Sequence, residues 1–148
     1  MKKENQRGIT LVESLTVIAI ITILAAVSVP VISRIAPHYR LTGTGRDLVS
    51  ALREAQSLAA TKQYTHIIRF NSADRSYSLI RVVNGNEQNQ KTTQLSQSVS
   101  FGIINLANNQ ISFASSGAPD NSGTVQLTNT RGENITIEIT ASGQIKSY

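Results

Sequence analysis

A run of twenty residues without a charged side chain, residues 14–33, is the feature that most constrains this chain. Between its two terminal serines, only Thr16, Thr22 and Ser28 carry polar side chains. About 20 apolar residues in a helix span the hydrocarbon core of a bilayer. Three cations precede the run, and the positive-inside rule then leaves the N-terminus in the cytoplasm and the rest of the chain across the membrane. The pattern predicts a transmembrane helix over residues 9–33.

Composition excludes several classes of protein. The 148 residues suffice for about one domain, and 40% apolar against 16% charged residues argues against wholesale disorder. The chain has no Cys, which excludes disulfides, a thiolate zinc site and a cysteine nucleophile. His38 and His66 are distant in sequence, and no nucleophile elbow or phosphate-binding loop accompanies them. We therefore expect no enzyme activity, no metal and no cofactor.

One carboxylate, Glu13, lies near the start of the apolar run without a cation beside it in sequence. A charged group costs about 2.5–3.5 kcal/mol at the bilayer centre and less near the interface. Thr10 and Glu13 have the spacing of a capping box at the start of a helix, which is one explanation. The other explanation is that Glu13 meets a positive charge supplied by another chain.

The residues from Gly8 to Glu13 resemble the prepilin processing motif of type IV pilins and type II secretion pseudopilins. The resemblance implies that a prepilin peptidase of the inner membrane cleaves after Gly8, the end of the leader 1–8. It then methylates the amine of Ile9, where the family usually has Phe. It further implies that Glu13 pairs with the N-terminal amine of a neighbouring subunit during assembly. Pro30 falls where pilin helices commonly have a proline kink.

Two alternatives to this interpretation of the N-terminal segment remain. A secretory signal peptide would need a cleavage site such as the small residues 25–28. An ordinary single-pass anchor with a capped helix start would need neither cleavage nor an assembly partner. In that case the chain would be a membrane-anchored periplasmic scaffold.

The stretch after the apolar run contains several residues that weaken a helix. Pro30, Pro37, Gly43 and Gly45 predict a kinked or partly melted connection over residues 34–45. An amphipathic helix is predicted over residues 46–62. Its apolar stripe consists of Leu48, Leu52, Ala55 and Ala59, joined by Ala51 and Leu58.

After Lys62 the apolar spacing changes to two, which predicts short strands. One long helix followed by such strands indicates an α+β fold, in which an antiparallel, sandwich-like sheet covers the helix stripe. The predicted strands are residues 64–70, 76–83, 99–104, 110–114, 124–127, 134–140 and 144–146.

Most of residues 46–146 resemble the GspH/FimT-type minor pseudopilin domain. The resemblance rests on the helix segment 46–57, on Ile67–Phe70, on Ile111–Phe113 and on the closing segment 135–143. It implies a structural subunit of a type II secretion pseudopilus or a type IV pilus, whose partners are other pilin or pseudopilin subunits. Such a subunit is held in the bacterial inner membrane, with the domain formed by residues 46–148 on the periplasmic side.

The net charge of +5 raises DNA as an alternative partner. Some FimT-like proteins are implicated in DNA uptake through a basic tail that follows a glycine. Here Gln144 stands where an arginine is expected, so the candidate contacts reduce to Lys146, Arg131 and a terminal Tyr148. A structural role is favoured over DNA binding.

Overall fold

The computed structural model describes residues 10–148, except for the side chains of residues 27–32. In that part of the chain one helix precedes eight strands. The bounds are α1 Leu11–Lys62, β1 His66–Asn71, β2 Ser76–Val83, β3 Asn86–Gln94, β4 Val99–Asn105, β5 Gln110–Phe113, β6 Gly123–Asn129, β7 Asn134–Ile139 and β8 Ile145–Ser147, with a short 3₁₀ turn Ala107–Asn109 before β5. The chain divides between Ala36 and Pro37 into two compact units.

Local hydrogen bonds define both ends of α1. At its start the Thr10 hydroxyl oxygen accepts the backbone N–H of Glu13 at 3.2 Å, and the Thr10 carbonyl accepts that of Ser14 at 3.1 Å. These bonds satisfy N–H groups that have no partner inside the helix. At its end Gln63 takes a left-handed conformation, with φ of 59°, and donates its N–H to the Ala59 carbonyl.

All of residues 34–45, for which we predicted a kinked or partly melted connection, are helical. This excludes a melted connection, and the kink stays a prediction. In the second unit Leu41, Thr44 and Gly45 are buried, and Gly45 lies beside Ile135 of β7. A glycine costs a helix about 1 kcal/mol, whereas burying one Leu side chain contributes about 1.5–3 kcal/mol. Packing therefore outweighs the weak helix propensity here.

The strands form two antiparallel four-stranded sheets. Sheet A has the order β3-β2-β1-β5, and sheet B has the order β4-β6-β7-β8. The chain passes from sheet A to sheet B at β4, returns to sheet A at β5 and enters sheet B again at β6. This architecture confirms the predicted α+β class with antiparallel sheets.

The core lies between the second half of α1 and the two sheets. The predicted stripe of Leu48, Leu52, Ala55 and Ala59 is fully buried, which confirms that prediction. Between the sheets, the rings of Phe70 and Phe101 pack edge to face with centroids 5.6 Å apart. The core residues from the strands include Ile68, Leu79, Ile111, Phe113, Val125, Leu127, Ile137 and Ile139.

Strand β3 was not predicted from the sequence. Its residues, NEQNQKTTQ, are all polar and almost all exposed. Asn84 and Gly85 have φ values of 51° and 79°, the left-handed values of a two-residue type I′ hairpin turn. That turn brings β3 alongside β2. An edge strand with both faces exposed need not show apolar alternation.

Candidate functional site

The helix of the first unit presents apolar side chains to solvent, and we refer to residues 11–24 as the stem. Each large apolar side chain of the stem exposes between 50% and 85% of its surface. These residues are Leu11, Val12, Leu15, Val17, Ile18, Ile20, Ile21, Ile23 and Leu24. A continuous apolar surface of this kind marks an interaction site with protein or membrane.

The two threonines of the stem are already satisfied within the helix. The hydroxyl of Thr16 donates to the carbonyl of Val12, and that of Thr22 donates to the carbonyl of Ile18, each at 2.8 Å. A hydroxyl bonded in this way does not need water. The stem can therefore enter an apolar environment without leaving these donors unpaired.

Glu13 is the one charged residue among residues 10–33. Its backbone N–H is bound by Thr10, as the capping explanation requires. Its side chain is exposed in the first turn of the helix. The bond to Thr10 uses the backbone amide, which any residue at position 13 could supply, so the cap does not by itself account for the carboxylate.

Three predicted site features lie wholly or partly outside the described residues. Gly8 and Ile9, the predicted cleavage and methylation positions, precede the first described residue. The side chain of Pro30, the predicted kink, also lies outside them, although α1 continues through this position. Across the described part of the chain, no helix is both long and apolar enough to cross a membrane.

The structure places the predicted DNA contacts Lys146 and Arg131 in different elements. Lys146 lies opposite Glu138 on neighbouring strands, and Glu138 also accepts the hydroxyl of Tyr148 at 2.6 Å. This hydrogen bond raises the pKa of Tyr148. Arg131 lies in the turn between β6 and β7, where its backbone N–H donates to the Oδ1 of Asn129 at 2.9 Å. The residue opposite Lys146 is thus an acid, and Arg131 belongs to a turn rather than to a strand.

The two histidines have ordinary partners. His38 contacts the carboxylate of Glu133 at 3.3 Å. The pKa of Glu133 is lowered, mainly by a hydrogen bond from Asn129 and further by His38. His66 is buried, and its Nδ1 lies 2.9 Å from the carbonyl of Tyr64. Among the described residues no group of His, Asp and Glu has the arrangement of a metal site.

Gln56 is a structural residue that the sequence analysis missed. Its amide nitrogen donates to the carbonyls of Gly117 and Gly143, each at 3.1 Å. The side chain therefore ties the helix to loops of both sheets. These partners lie 61 and 87 residues away along the chain, so no local pattern marks them.

Comparison with known families decides the assignment. The family description "Prokaryotic N-terminal methylation motif" matches residues 3–29. The description "Type II transport protein GspH" matches residues 44–143, more than half of the chain. The chain belongs to the GspH family. No curated protein matches it by sequence.

Solved structures share the fold of this GspH-family chain at low sequence identity. The minor pseudopilin EpsH from the type 2 secretion system of Vibrio cholerae is 12% identical, with a TM-score of 0.63, covering 74% of this chain and 96% of that one. The type IV minor pilin FimU of Pseudomonas aeruginosa is 15% identical, with a TM-score of 0.61, covering 75% and 90%. The family and fold are those of structural subunits of a pseudopilus or pilus, and not those of enzymes.

Proposed function

We propose that this chain is a minor subunit of a type II secretion pseudopilus, anchored in the inner membrane and assembled through its stem. The observation that carries the proposal is the exposed apolar surface of residues 11–24, in which Glu13 is the one charge. A type IV pilus is the alternative machine. On this proposal the chain acts by contact with other subunits and has no catalytic role.

Cleavage after Gly8 would supply the missing partner of Glu13. It would turn Ile9 into the N-terminus, with an amine four residues from the Glu13 carboxylate. In line with the resemblance to the prepilin motif, this amine would pair with the Glu13 of a neighbouring subunit. In an apolar setting, losing one member of such a pair costs about 3–5 kcal/mol. Glu13 would therefore set the register between subunits.

Burial of the stem would hold it out of water, either in the membrane or in the filament. Each large apolar side chain contributes about 1.5–3 kcal/mol when it leaves water for protein or lipid. Since lipid tails can also cover the stem, its transfer from membrane to filament needs a directional contact in addition. The pair formed by Glu13 and the neighbouring amine would be that contact.

The DNA-uptake alternative has less support. Clustered cations are needed to neutralise successive phosphates. Here Glu138 lies opposite Lys146, and Tyr148 is hydrogen-bonded to that same carboxylate. We therefore do not propose DNA as a partner.

The test compares two charge-neutralising variants in the native host. Glu13→Gln removes the carboxylate of the stem, whereas Glu4→Gln removes one from the leader and serves as the matched control. Both variants should be cleaved normally, as judged by the mass of the protein. Incorporation into purified filaments should fall at least about tenfold for Glu13→Gln and stay unchanged for Glu4→Gln. Normal incorporation of Glu13→Gln would refute the role of Glu13.

The choice between machines needs a second readout from the same membranes. Crosslinking followed by mass spectrometry identifies the proteins that lie against the stem. Secretion pseudopilins among the crosslinked partners would support the proposal. If the crosslinked partners are pilus subunits only, the machine is a type IV pilus and not a pseudopilus.

A further inference from the structure

A cleft of about 290 Å³ opens in the second unit beside the C-terminal end of α1 and sheet A. Three cations line it: Lys62 from the last turn of the helix, Arg81 from β2 and Lys91 from β3. One carboxylate, that of Glu54, lies on the same cleft. The lining thus has two more positive than negative side chains. The three cations come from three separate elements.

Arg81 is held in place on two sides. Its Nη2 donates to the amide oxygen of Gln88 at 2.7 Å, and its guanidinium carbon lies 5.7 Å from the centroid of the Tyr64 ring. Its Nε is buried and has no hydrogen-bond partner among the described residues. Because Nε is shielded from solvent, a ligand in the cleft would meet the terminal Nη groups of the guanidinium instead.

A β-bulge shapes the third side of the cleft. Leu79 lies opposite Lys91, but the next residue, Ile80, lies opposite Asn89, so Gln90 is an extra residue in β3. Such bulges redirect side chains and often lie beside functional sites. Here the bulge places both Gln90 and Lys91 on the cleft.

We propose that this cleft binds a carboxylate of an acidic segment of another protein. The Nη groups of Arg81 and the ammonium groups of Lys62 and Lys91 can form charge-assisted hydrogen bonds to its oxygens. Leu58 and Leu79 form apolar walls against which the methylene groups of a glutamate can pack. The site is separate from the stem and does not depend on the proposed mode of assembly.

The direct readout is the Nε–H resonance of Arg81 in the ¹⁵N-labelled full-length chain, held in detergent micelles. The Arg81→Lys variant assigns the resonance by removing it. The probes are an end-blocked glutamate-rich peptide, the same peptide with glutamine at each glutamate, and inorganic phosphate. We expect the acidic peptide to shift the resonance saturably, the glutamine peptide to leave it unchanged, and phosphate to bind at least threefold more weakly.

Two exposed lysines provide a matched pair of variants. Lys91→Gln should weaken binding of the acidic peptide at least fivefold, and Lys146→Gln, which lies outside the cleft, should not alter it. Equal affinity for the wild type and Lys91→Gln would overturn the proposal. So would the absence of any saturable shift. Phosphate binding as tightly as the peptide would overturn the assignment of an acidic protein segment in favour of a free oxyanion.

Discussion

At the scale of single residues, the exposed carboxylates of Glu87 and Glu133 have lowered pKa values because of hydrogen bonds that form only in the folded chain. Arg69 donates to both oxygens of Glu87, at 2.9 and 2.7 Å, and this lowers the pKa of Glu87. Glu133 has a lowered pKa because of Asn129 and His38. A carboxyl group whose pKa is lower in the folded state stabilises the fold at pH values above its unfolded pKa.

This linkage fixes the direction of the pH dependence. Stability should fall as the pH drops through the lowered pKa values of Glu87 and Glu133, below their ordinary value of 4.5. Glu87→Gln removes one contributor, so its Tm should decline less steeply than that of the wild type between about pH 5 and pH 3. Thermal unfolding at a series of pH values measures both slopes. Identical slopes would mean that the Arg69 contact contributes nothing in solution.

The proposed cleavage also depends on a single residue. A side chain at position 8 should block the peptidase, if Gly8 is needed for close approach of the enzyme to the backbone. Gly8→Leu should therefore leave the leader of eight residues attached, whereas Gln6→Leu, two positions earlier, should be processed. The intact mass of the protein isolated from its membrane reports the outcome. A mature mass for Gly8→Leu would show that the cleavage position is wrong.

At the scale of elements, the segments with a regular apolar period were predicted from the sequence. The segments whose structure depends on distant contacts were not. The stripe from Leu48 to Ala59 and the strand Ser76–Val83 were predicted with the bounds that the structure shows. The helix across residues 34–45 was missed because its support comes from distant partners such as Ile135. Strand β3 has no apolar residue, but the Asn84-Gly85 turn signal could have revealed it.

The failure to predict β3 also affected the prediction of binding sites. Lys91 is in β3, and its neighbour Arg81 is in a strand that the sequence did predict. The cleft they share was therefore not expected, because one of its walls had no predicted structure. The helix of the stem, by contrast, was predicted, since its signals are local in sequence.

The link made by Gln56 yields a prediction about the helix. Gln56→Ala removes two hydrogen bonds that join α1 to the loops containing Gly117 and Gly143. The free energy of unfolding should fall by about 1–3 kcal/mol, because two part-buried carbonyls lose their donor. Ser57→Ala, at the adjacent exposed position, should change it by less than about 0.5 kcal/mol. Denaturant unfolding measures both, and a neutral Gln56→Ala would show that water replaces the amide.

At the scale of the whole molecule, the four sheet edges are all poorly suited to pairing with another chain. Both β3 and β4 have register shifts that mark bulges. Strand β5 is bridged by Pro119, and β8 has three residues. Bulges, short strands and covered edges prevent strand-to-strand association. Self-association of the chain is therefore expected to use the stem.

The chain with the stem and the fragment without it are therefore expected to differ in self-association. A fragment of residues 37–148 should remain monomeric at concentrations of about 100 μM, since it retains the protected sheet edges and lacks the stem. The full-length chain in the same buffer should need detergent to stay dispersed, because its apolar surface is exposed. Analytical ultracentrifugation distinguishes the two. Strong association of the fragment would point to an interface on the sheets instead.

The central claim is that the chain is cleaved after Gly8 and then assembles through its stem. The most direct test is crosslinking of the protein in its native membrane, followed by mass spectrometry of its N-terminal peptide and the attached partner. We expect a peptide that begins with N-methylated Ile9 and is joined to the stem of another pilin-type subunit. An N-terminus that still includes residues 1–8, without such a partner, would contradict the account and leave a plain membrane-anchored domain.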